Sequence, residues 1–471
     1  MLPDTDVRRR SAIGAVLLSF LWPGLGHLAL GRRRMAALFA LPVIVVALFA
    51  VWQTGLDAFF FTASLLDEGY LVLVLAVVLA LGVWRIVAML HAVPPSRSGW
   101  EKRRPEYVLA FALIAAIVAM HGAFAFAAWE VYDTSVSIQS NNFLNDAMAT
   151  PGTAVSAATA SPTATPTKAP TPTFASGVAV PTYPISASPS AAPNPHRITF
   201  LLVGIDFMTG RSTGSTDTMM IVSVDTQTKN AAVLSLPRDT AGFQLYWGPW
   251  TASNFKINGL VAAVYRGAVK SPDAPMTTLE KEVGFLVGIP ITYYAAIDMD
   301  GFARMVDAMG GVDVYNVRAI NDDVAHIVMP VGAAHLDGGN ALKYVRTREN
   351  GGSDYLRASR QQQVLLSLEH KILSPYGLSR FTTLMSLAGK MVQTDFPLKS
   401  ARDYVKLGQS VSSIKQCVLG PPYSWHPDNS TTRGTWTSRL DLTKMAELSV
   451  QLFGSDSAYY GQPGITPKAC G

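Results

Sequence analysis

Three long apolar segments near the start of the chain restrict its fold more than any other feature. They cover about residues 35–53, 70–91 and 107–129 and consist mainly of Leu, Val, Ala and Phe. A helix of about 20 apolar residues spans a bilayer, because it satisfies its backbone hydrogen bonds internally. The sequence therefore predicts an all-α transmembrane region over residues 1–130.

A fourth apolar run, residues 11–31, is interrupted by WPGLG at residues 22–26. If it crossed the bilayer, the basic clusters at 8–10 and 32–34 would lie on opposite sides. If it is a re-entrant or interfacial hairpin, both clusters and residues 102–104 share one face, which the positive-inside rule makes cytoplasmic. We therefore expect a multi-pass cell-membrane protein that is extracytoplasmic after residue 129. The net charge is +5, but the basic clusters lie beside apolar segments, as residues that flank a membrane span do. We therefore expect no nucleic acid as a partner.

Residues 131–196 are rich in Ser, Thr, Pro and Ala. Such a segment cannot bury enough apolar surface to fold, so the composition predicts a disordered linker. A tether of this kind favours work at the membrane surface or in the cell wall. We leave open whether the linker is a plain spacer or a glycosylated stalk.

The part after the linker has a normal globular composition. Apolar strand patterns at residues 198–204, 218–225 and 231–236 are followed by helical patterns near 256–266, 276–287 and 302–309. They predict an α/β (α+β) mixed-sheet sandwich with flanking helices. We place its main domain at residues 197–375 and a C-terminal cap of helices at 376–471. Cys417 and Cys470 form a disulfide or remain free thiols; outside the cytoplasm we favour the disulfide.

Two arginines, Arg346 and Arg348, stand two residues apart in what we predict to be an extended segment. Alternate residues of a strand point to the same side, and Asp354, Arg357, Arg360 and Gln361 follow closely. Guanidinium groups so close repel each other unless an anion lies between them, and phosphate or pyrophosphate suits their planar geometry. The cluster therefore predicts a phosphate-binding site.

Acidic residues occur where predicted strands begin and end. Asp206 ends the first strand, Asp217 precedes the second, and Arg238 follows the third. Two carboxylates beside arginines are suited to Mg²⁺ that also binds phosphate oxygens. Asp in loops is more often a capping residue, and spacing alone leaves both interpretations open. The arginine cluster favours the metal site.

Several ordered motifs resemble the LytR-CpsA-Psr family of membrane-anchored phosphotransferases of Gram-positive-type envelopes. The motifs are LLVGID (201–206), STDTMMIVSV (215–224), LSLPRD (234–239), KING (256–259), DGFARMVDAMGGVDV (300–314) and ALKYVRTR followed by DYLRASRQQQ. The resemblance implies an apolar pocket that holds a polyprenyl chain, with its diphosphate and Mg²⁺ at the mouth. It implies transfer of a polyprenyl-(pyro)phosphate-linked glycopolymer, the donor, to peptidoglycan, the acceptor, in cell-wall assembly.

Matched position by position, the family's functional residues fall on nine residues of this chain. The resemblance implies that Asp206 and Asp217 hold the metal. It implies catalytic roles for Arg238, Arg346, Arg348 and Asp354. The residues that it implies for diphosphate binding are Arg238, Lys256, Arg346, Arg348, Arg357 and Gln361.

Two other functions remain open from the sequence. Ser215 occupies a position that is commonly arginine in the family, which leaves room for a module that binds or senses a lipid-linked glycan without turnover. Hydrolysis of the polyprenyl diphosphate would use the same residues with water as the nucleophile. For transfer, Asp354 and Asp217 are both candidates for the group that accepts the hydroxyl proton.

Overall fold

The structure is a computed structural model that describes residues 4–54, 57–92, 104–141, 195–206, 214–248, 251–252, 255–348, 354–426 and 437–470. Most of the predicted linker, residues 142–194, lies outside the described residues. Contacts divide the chain into two units. One contains residues 1–135 and 398–406, and the other contains residues 136–397 and 407–471.

The first unit is helical. Its helices are α1 (Asp4–Leu21), α2 (Leu25–Ala29), α3 (Arg33–Thr54), α4 (Ala58–Ser64), α5 (Glu68–Ala92) and α6 (Arg104–Ser140). Three stretches are long and apolar enough to cross a membrane: Arg33–Gln53, Glu68–Ala92 and Val108–Ser140. The third continues well beyond residue 129, where the sequence pattern placed its end.

The interrupted apolar run forms two helices, α1 and α2, joined by a turn. Gly24 has a φ of 97°, which L side chains rarely adopt. A Cβ at this position would also lie 2.4 Å from the carbonyl oxygen of Ala36. Glycine is therefore required for the turn to pass so close to α3.

The second unit is built on a six-stranded mixed sheet, which confirms the predicted α/β sandwich. Its strands are β1 (Arg197–Asp206), β2 (Ser215–Asp225), β3 (Asn230–Ser235), β6 (Tyr293–Asp298), β11 (Val392–Thr394) and β12 (Ser413–Val418). Their order in the sheet is β11-β6-β1-β2-β3-β12. β1 pairs antiparallel with β2 and parallel with β6, while β3 pairs parallel with β12.

Shorter strands form four two-stranded pairs around this sheet. They are β4 (Phe243–Gln244) with β5 (Thr251–Ala252), β7 (Val312–Asn316) with β10 (Gly332–Leu336), β8 (Ile320–Asp322) with β9 (Ile327–Met329), and β13 (Ser424–Trp425) with β14 (Arg439–Leu440). The helices after β5 along the chain are α7 (Leu260–Tyr265), α8 (Pro275–Val287), α9 (Met299–Ala308), α10 (Gly338–Arg346), α11 (Asp354–Ile372), α12 (Pro375–Ser379), α13 (Phe381–Met391), α14 (Ala401–Gln409) and α15 (Leu442–Phe453). Residues 401–406 of α14 belong to the first unit.

Two apolar cores hold these elements together. In the first core, alternate residues of β1, such as Leu201 and Val203, pack with residues of α7, α8 and α15. The second core joins α9, α10 and α11 to the β7–β10 segment and includes Val306, Tyr344 and Val364. The remaining residues of β1 are only partly buried, so one face of this strand is less tightly covered than the other.

Three consecutive glutamines fix α11 between its neighbours. Gln362 is 3 % exposed and donates to Ser235 Oγ (2.9 Å) and to the carbonyl oxygen of Cys417 (2.7 Å). Gln361 and Gln363 lie on other faces of the helix and bond to different segments. Cys417 forms a disulfide with Cys470, as the sequence favoured, and the two Cα atoms are 5.9 Å apart.

Candidate active site

A cavity of about 640 Å³ in the second unit combines charged and apolar walls. It contains seven of the nine residues implied by the motifs. Those seven are Asp206, Asp217, Arg238, Arg346, Arg348, Arg357 and Gln361. The apolar side chains of the wall are Met299, Val324, Ala325, Leu342 and Val345. Asp322 and Lys343 also line it.

The two aspartates are supplied by neighbouring strands. Asp206 is the last residue of β1 and is paired in register with Ser215 of β2. Asp217 was expected before the second strand, but it lies within β2, which begins at Ser215. The strand extends further than its apolar pattern because the pairing with β1 continues through polar residues. Both carboxylates therefore reach the same cavity from one antiparallel pair.

Arg238 follows β3 and binds the second aspartate. Its Nη1 lies 2.6 Å from Asp217 Oδ2, and its Nε lies 3.8 Å from Asp239 Oδ2. Burial alone would lower the pKa of Arg238, but the charges of Asp217 and Asp239 outweigh burial and raise it. The guanidinium thus stays charged while it is largely withdrawn from water.

Arg346 and Arg348 are brought together differently from the expectation. Arg346 is the last residue of α10, and the extended backbone begins at Thr347, so the prediction of an extended segment that contains Arg346 is wrong. The helix forms because Asp337 caps it, accepting from the backbone N–H of Asn340, and because its apolar face packs in the second core. Arg346 Nη2 reaches Asp206 Oδ2 at 3.1 Å.

Asp322 holds this arginine segment in place, and sequence reasoning missed it. It is 4 % exposed, and its Oδ2 accepts from the Thr347 hydroxyl (2.5 Å) and from the Arg348 backbone N–H (3.1 Å). Its other oxygen accepts from the backbone N–H groups of Val324 and Ala325. An Asp at the end of a short strand has the same local sequence as an ordinary turn residue, so no local pattern distinguishes it.

Asp354 and Arg357 lie in the first turn of α11. Arg357 Nη2 lies 3.0 and 3.2 Å from the two oxygens of Asp354, and Arg348 Nη2 lies 3.4 Å from Asp354 Oδ1. Arg357 also donates to the carbonyl oxygen of Asp217 (3.2 Å). Burial raises the pKa of Asp354, and this effect is larger than the opposite effect of the nearby arginines. Burial lowers the pKa of Arg357. Asp354 therefore joins two arginines without lining the cavity itself.

The two remaining residues differ in position. Gln361 lines the cavity and donates to the carbonyl oxygen of Val345 (3.3 Å). Lys256 is absent from the described lining; its Nζ lies 2.8 Å from Asp239 Oδ1, beside Arg238. Lys256 thus neutralises an acid behind the cavity wall, and direct contact with a diphosphate stays a prediction.

The donor set of the cavity fits a divalent cation that also binds the substrate. No group of three or more His, Cys, Asp or Glu side chains within the described ranges is arranged to hold a metal ion alone. Mg²⁺, however, is commonly bound by one or two carboxylates together with substrate phosphates and water. Asp217 Oδ1 is buried and has no hydrogen-bond partner among the described residues. This oxygen, together with Asp206, could serve as the protein ligands of Mg²⁺.

Comparison with known proteins identifies related sequences. The family model described as the LytR_cpsA_psr family matches residues 166–452. A polyisoprenyl-teichoic acid–peptidoglycan teichoic acid transferase, TagV of Bacillus subtilis, is 29% identical over 264 residues, covering 52% of this chain and 64% of the relative. The cell wall biosynthesis protein LcpA of Corynebacterium glutamicum is 31% identical over 198 residues, covering 38% of this chain and 37% of the relative. The match thus spans less than two thirds of the length of either curated relative.

Solved structures also match the chain. A crystal structure of TagV from B. subtilis is 24% identical, with a TM-score of 0.43, and the match covers 55% of this chain and 96% of that one. A structure of TagT bound to LIIa-WTA is 24% identical, with a TM-score of 0.42, covering 55% and 90%.

Proposed function

The chain belongs to the LytR_cpsA_psr family, as its motifs predicted, and on this premise we propose that it is a glycopolymer–peptidoglycan phosphotransferase. The donor is a glycopolymer linked to a polyprenyl (pyro)phosphate, and the acceptor is a peptidoglycan hydroxyl. The related TagV is described as transferring teichoic acid from a polyisoprenyl carrier to peptidoglycan. We extend the reaction class, and not the identity of the polymer, to this chain.

One observation carries the proposal: a single cavity has an apolar wall and a cluster of arginines that are each paired with a carboxylate. Arg238 pairs with Asp217, and Arg346 pairs with Asp206. A diphosphate on an apolar tail needs this combination, because burying its charge without partners would be very unfavourable. The ion pairs keep the arginines in position before the substrate arrives.

The arginines provide the main means of catalysis. During phosphoryl transfer, negative charge builds on the phosphate oxygens and on the leaving group. Donors already aimed at that charge stabilise it without reorganising during the reaction. We assign this role to Arg238, Arg346 and Arg348, and we assign support of their positions to Arg357 and Asp322. Arg348 has 43% of its side-chain surface exposed and is therefore accessible to an incoming phosphate.

The proposed reaction exchanges one P–O bond for another. The acceptor oxygen attacks the phosphorus that bears the glycan, and the bond from that phosphorus to the polyprenyl phosphate breaks. The polyprenyl phosphate leaves, and the hydroxyl proton passes to a carboxylate. Asp354 is one candidate base, because burial raises its pKa towards the range of an effective proton acceptor. Asp217 is the other, because it lines the cavity beside the arginines that would hold the phosphate.

We propose that Asp206 and Asp217 hold Mg²⁺. When bound, the ion would supply positive charge to the diphosphate oxygens. The two carboxylates would then be shared between the ion and their present partners, Arg346 and Arg238. The buried, unpartnered Oδ1 of Asp217 supports this assignment.

The membrane topology is also a proposal. The first unit has three stretches long and apolar enough to span a bilayer. We propose a multi-pass cell-membrane protein whose second unit is extracytoplasmic, where both a lipid-linked donor and peptidoglycan are accessible. The distribution of basic residues along the first 104 residues supports this orientation.

Reconstitution of the full-length protein in lipid nanodiscs tests the function. The assay combines a radiolabelled polyprenyl-diphosphate-linked glycan, peptidoglycan and Mg²⁺, and measures label in muramidase-released fragments. We expect transfer by the wild type, less than 1% of it by Arg346→Ala, as an order of magnitude for a lost transition-state donor, and full transfer by Arg304→Gln, which changes an exposed arginine of α9.

The same assay separates transfer from the two other functions. Release of free glycan phosphate without labelled peptidoglycan would identify a hydrolase. If the lipid-linked donor stays bound and intact during prolonged incubation with Mg²⁺ and acceptor, the protein is a binding module. Full activity of Arg346→Ala would show that the cavity is not the active site.

A further inference from the structure

A second cavity, of about 340 Å³, lies on another face of α11. The first turns of this helix direct Arg357 and Gln361 to the first cavity, whereas Ser359, Arg360 and Gln363 line the second. Because successive helical residues are rotated by roughly 100°, the two sets lie about a third of a turn apart. The helix is therefore a shared wall between two separate cavities.

The arginine segment connects the two cavities. Arg360 Nη2 donates to the carbonyl oxygen of Thr347 at 2.5 Å, and Thr347 lies between Arg346 and Arg348 of the first cavity. The Arg360 guanidinium also lies over the ring of Tyr344, 5.7 Å from its centroid. A molecule in the second cavity would thus contact Arg360, which is hydrogen-bonded to the residue between two of the proposed phosphate-binding arginines.

The chemistry of the second cavity suits an anionic saccharide. Arg318 and Arg360 supply positive charge, and none of the described lining residues is acidic. Tyr315 is 56% exposed, so its ring offers an apolar face of the kind on which sugar rings stack. Gln363 and Gln416 add amide groups that both donate and accept hydrogen bonds. The volume falls within the range of roughly 300–1,000 Å³ found for small-molecule sites.

We propose that this second cavity is the subsite for the peptidoglycan acceptor, an inference that rests on the proposed transferase function. The acceptor is a glycan that carries peptide stems, and its carboxylates would pair with Arg318 and Arg360. Guanidinium groups bind carboxylates through two parallel hydrogen bonds. A sugar ring would lie against Tyr315. Because Thr347 is buried, the acceptor would reach the phosphate along the surface beside Arg348, whose side chain is 43% exposed.

The geometry favours the acceptor over the glycan of the donor. In an in-line displacement the attacking and leaving oxygens lie on opposite sides of the phosphorus. The apolar wall that would hold the leaving polyprenyl phosphate includes Met299 and Leu342, which belong to the first cavity alone. Entry from the second cavity keeps the nucleophile apart from the leaving group.

Binding of a soluble disaccharide-tetrapeptide from peptidoglycan to the full-length protein in nanodiscs tests the subsite. We expect Arg318→Gln and Tyr315→Ala to weaken this binding about tenfold, as measured by calorimetry. Each variant should raise the acceptor KM of transfer by a similar factor. The affinity of each variant for the lipid-linked donor should stay within about twofold of the wild-type value. Arg304→Gln should match the wild type in fragment binding, acceptor KM and donor affinity.

Other outcomes overturn the subsite or the function separately. Weaker donor binding with unchanged fragment binding would assign the cavity to the donor glycan and overturn the proposal. Unchanged fragment binding and an unchanged acceptor KM would overturn the subsite and leave the transferase intact. Suppose that the wild-type protein binds the fragment but transfers nothing, and that Arg318→Gln no longer binds the fragment. The binding site then stands, and the transferase function fails.

Discussion

Arg238 Nη1 lies 2.6 Å from Asp217 Oδ2, so a proposed phosphate ligand and a proposed metal ligand neutralise each other across the cavity wall. Both side chains are largely buried, with 18% and 14% of their surface exposed. A pair of this kind holds two charges where water is scarce, and on binding each partner would also contact the substrate or the cation. The pair itself is thus held in place and has no net charge before the substrate arrives.

Replacing Arg238 should lower the rate of transfer. In Arg238→Gln the transferred phosphate loses a donor, and we expect kcat/KM to fall about 10²–10³-fold. Steady-state transfer by the full-length protein measures this, with Arg304→Gln as the matched control. The double variant Asp217→Asn/Arg238→Gln separates catalysis from structure. Recovery of activity in the double variant would mean that the pair serves only to balance charge.

Removing either proposed metal ligand should weaken cation binding directly. We expect Asp206→Asn and Asp217→Asn to raise the Kd for Mn²⁺, used as a probe for Mg²⁺, at least about tenfold. Electron paramagnetic resonance of free Mn²⁺ reports this without any assay of activity. Asp300→Asn, an exposed acid of α9, is the control. Equal Mn²⁺ affinity in all four proteins would rule out the assigned site.

The sequence predicted the sheet and most of the site because buried strands carry strong local signals. The first three strands are apolar runs with polar ends, and Asp206 and Arg238 are recognisable as the residues that follow such runs. The family motifs add the remaining positions. The local sequence pattern was therefore enough to predict a functional residue that is adjacent to a buried strand.

The sequence failed where tertiary packing overrides local preference. The segment before Arg346 contains aromatic and β-branched residues, yet it is helical because Ala341 and Tyr344 are buried in the second core. Asp322 and Gln416 are also unpredictable, since their functional neighbours are distant in sequence. Asp322 bonds to Thr347, and Gln416 shares a cavity with Tyr315. Only the fold brings such pairs together.

Loss of the disulfide should destabilise the second unit. Cys417 and Cys470 are separated by 53 residues, and closing such a loop stabilises a fold by about 4 kcal/mol in the chain-entropy description. We expect Cys470→Ser to lower the Tm in thermal unfolding followed by tryptophan fluorescence. Reductant should lower the Tm of the wild type similarly and leave the variant unchanged. A variant with the wild-type Tm would show that the bridge contributes nothing.

The proposed topology predicts which engineered cysteines react outside the cell. The two native cysteines are bridged, so new thiols can be labelled selectively in the wild-type background. We expect Asp67→Cys and Ser161→Cys to react with a membrane-impermeant maleimide in intact cells, and Ser98→Cys to react only after permeabilisation. If Ser98→Cys were labelled in intact cells and Ser161→Cys were not, the orientation would be opposite to the proposed one.

Glu280 should make the stability of the second unit depend on pH. It is 8% exposed on α8, and burial, together with the charge of Asp395, raises its pKa to about 8 from 4.5. The folded state therefore retains a proton that the unfolded chain releases. The stabilisation is complete below about pH 4.5 and is lost as pH rises through about 8. Each pKa unit corresponds to about 1.4 kcal/mol, so the effect is on the order of a few kcal/mol.

The variant Glu280→Gln keeps the neutral shape of the protonated acid at every pH. We expect its Tm to match that of the wild type at pH 5 and to exceed it increasingly up to pH 8. The Tm of Glu280→Gln should depend on pH less than the Tm of the wild type does. Some dependence should remain, because burial also raises the pKa of Glu282 and Asp395. Glu369→Gln, at an exposed position of α11, should follow the wild type. If the Tm difference between Glu280→Gln and the wild type stayed constant from pH 5 to pH 8, Glu280 would not be protonated in the folded protein.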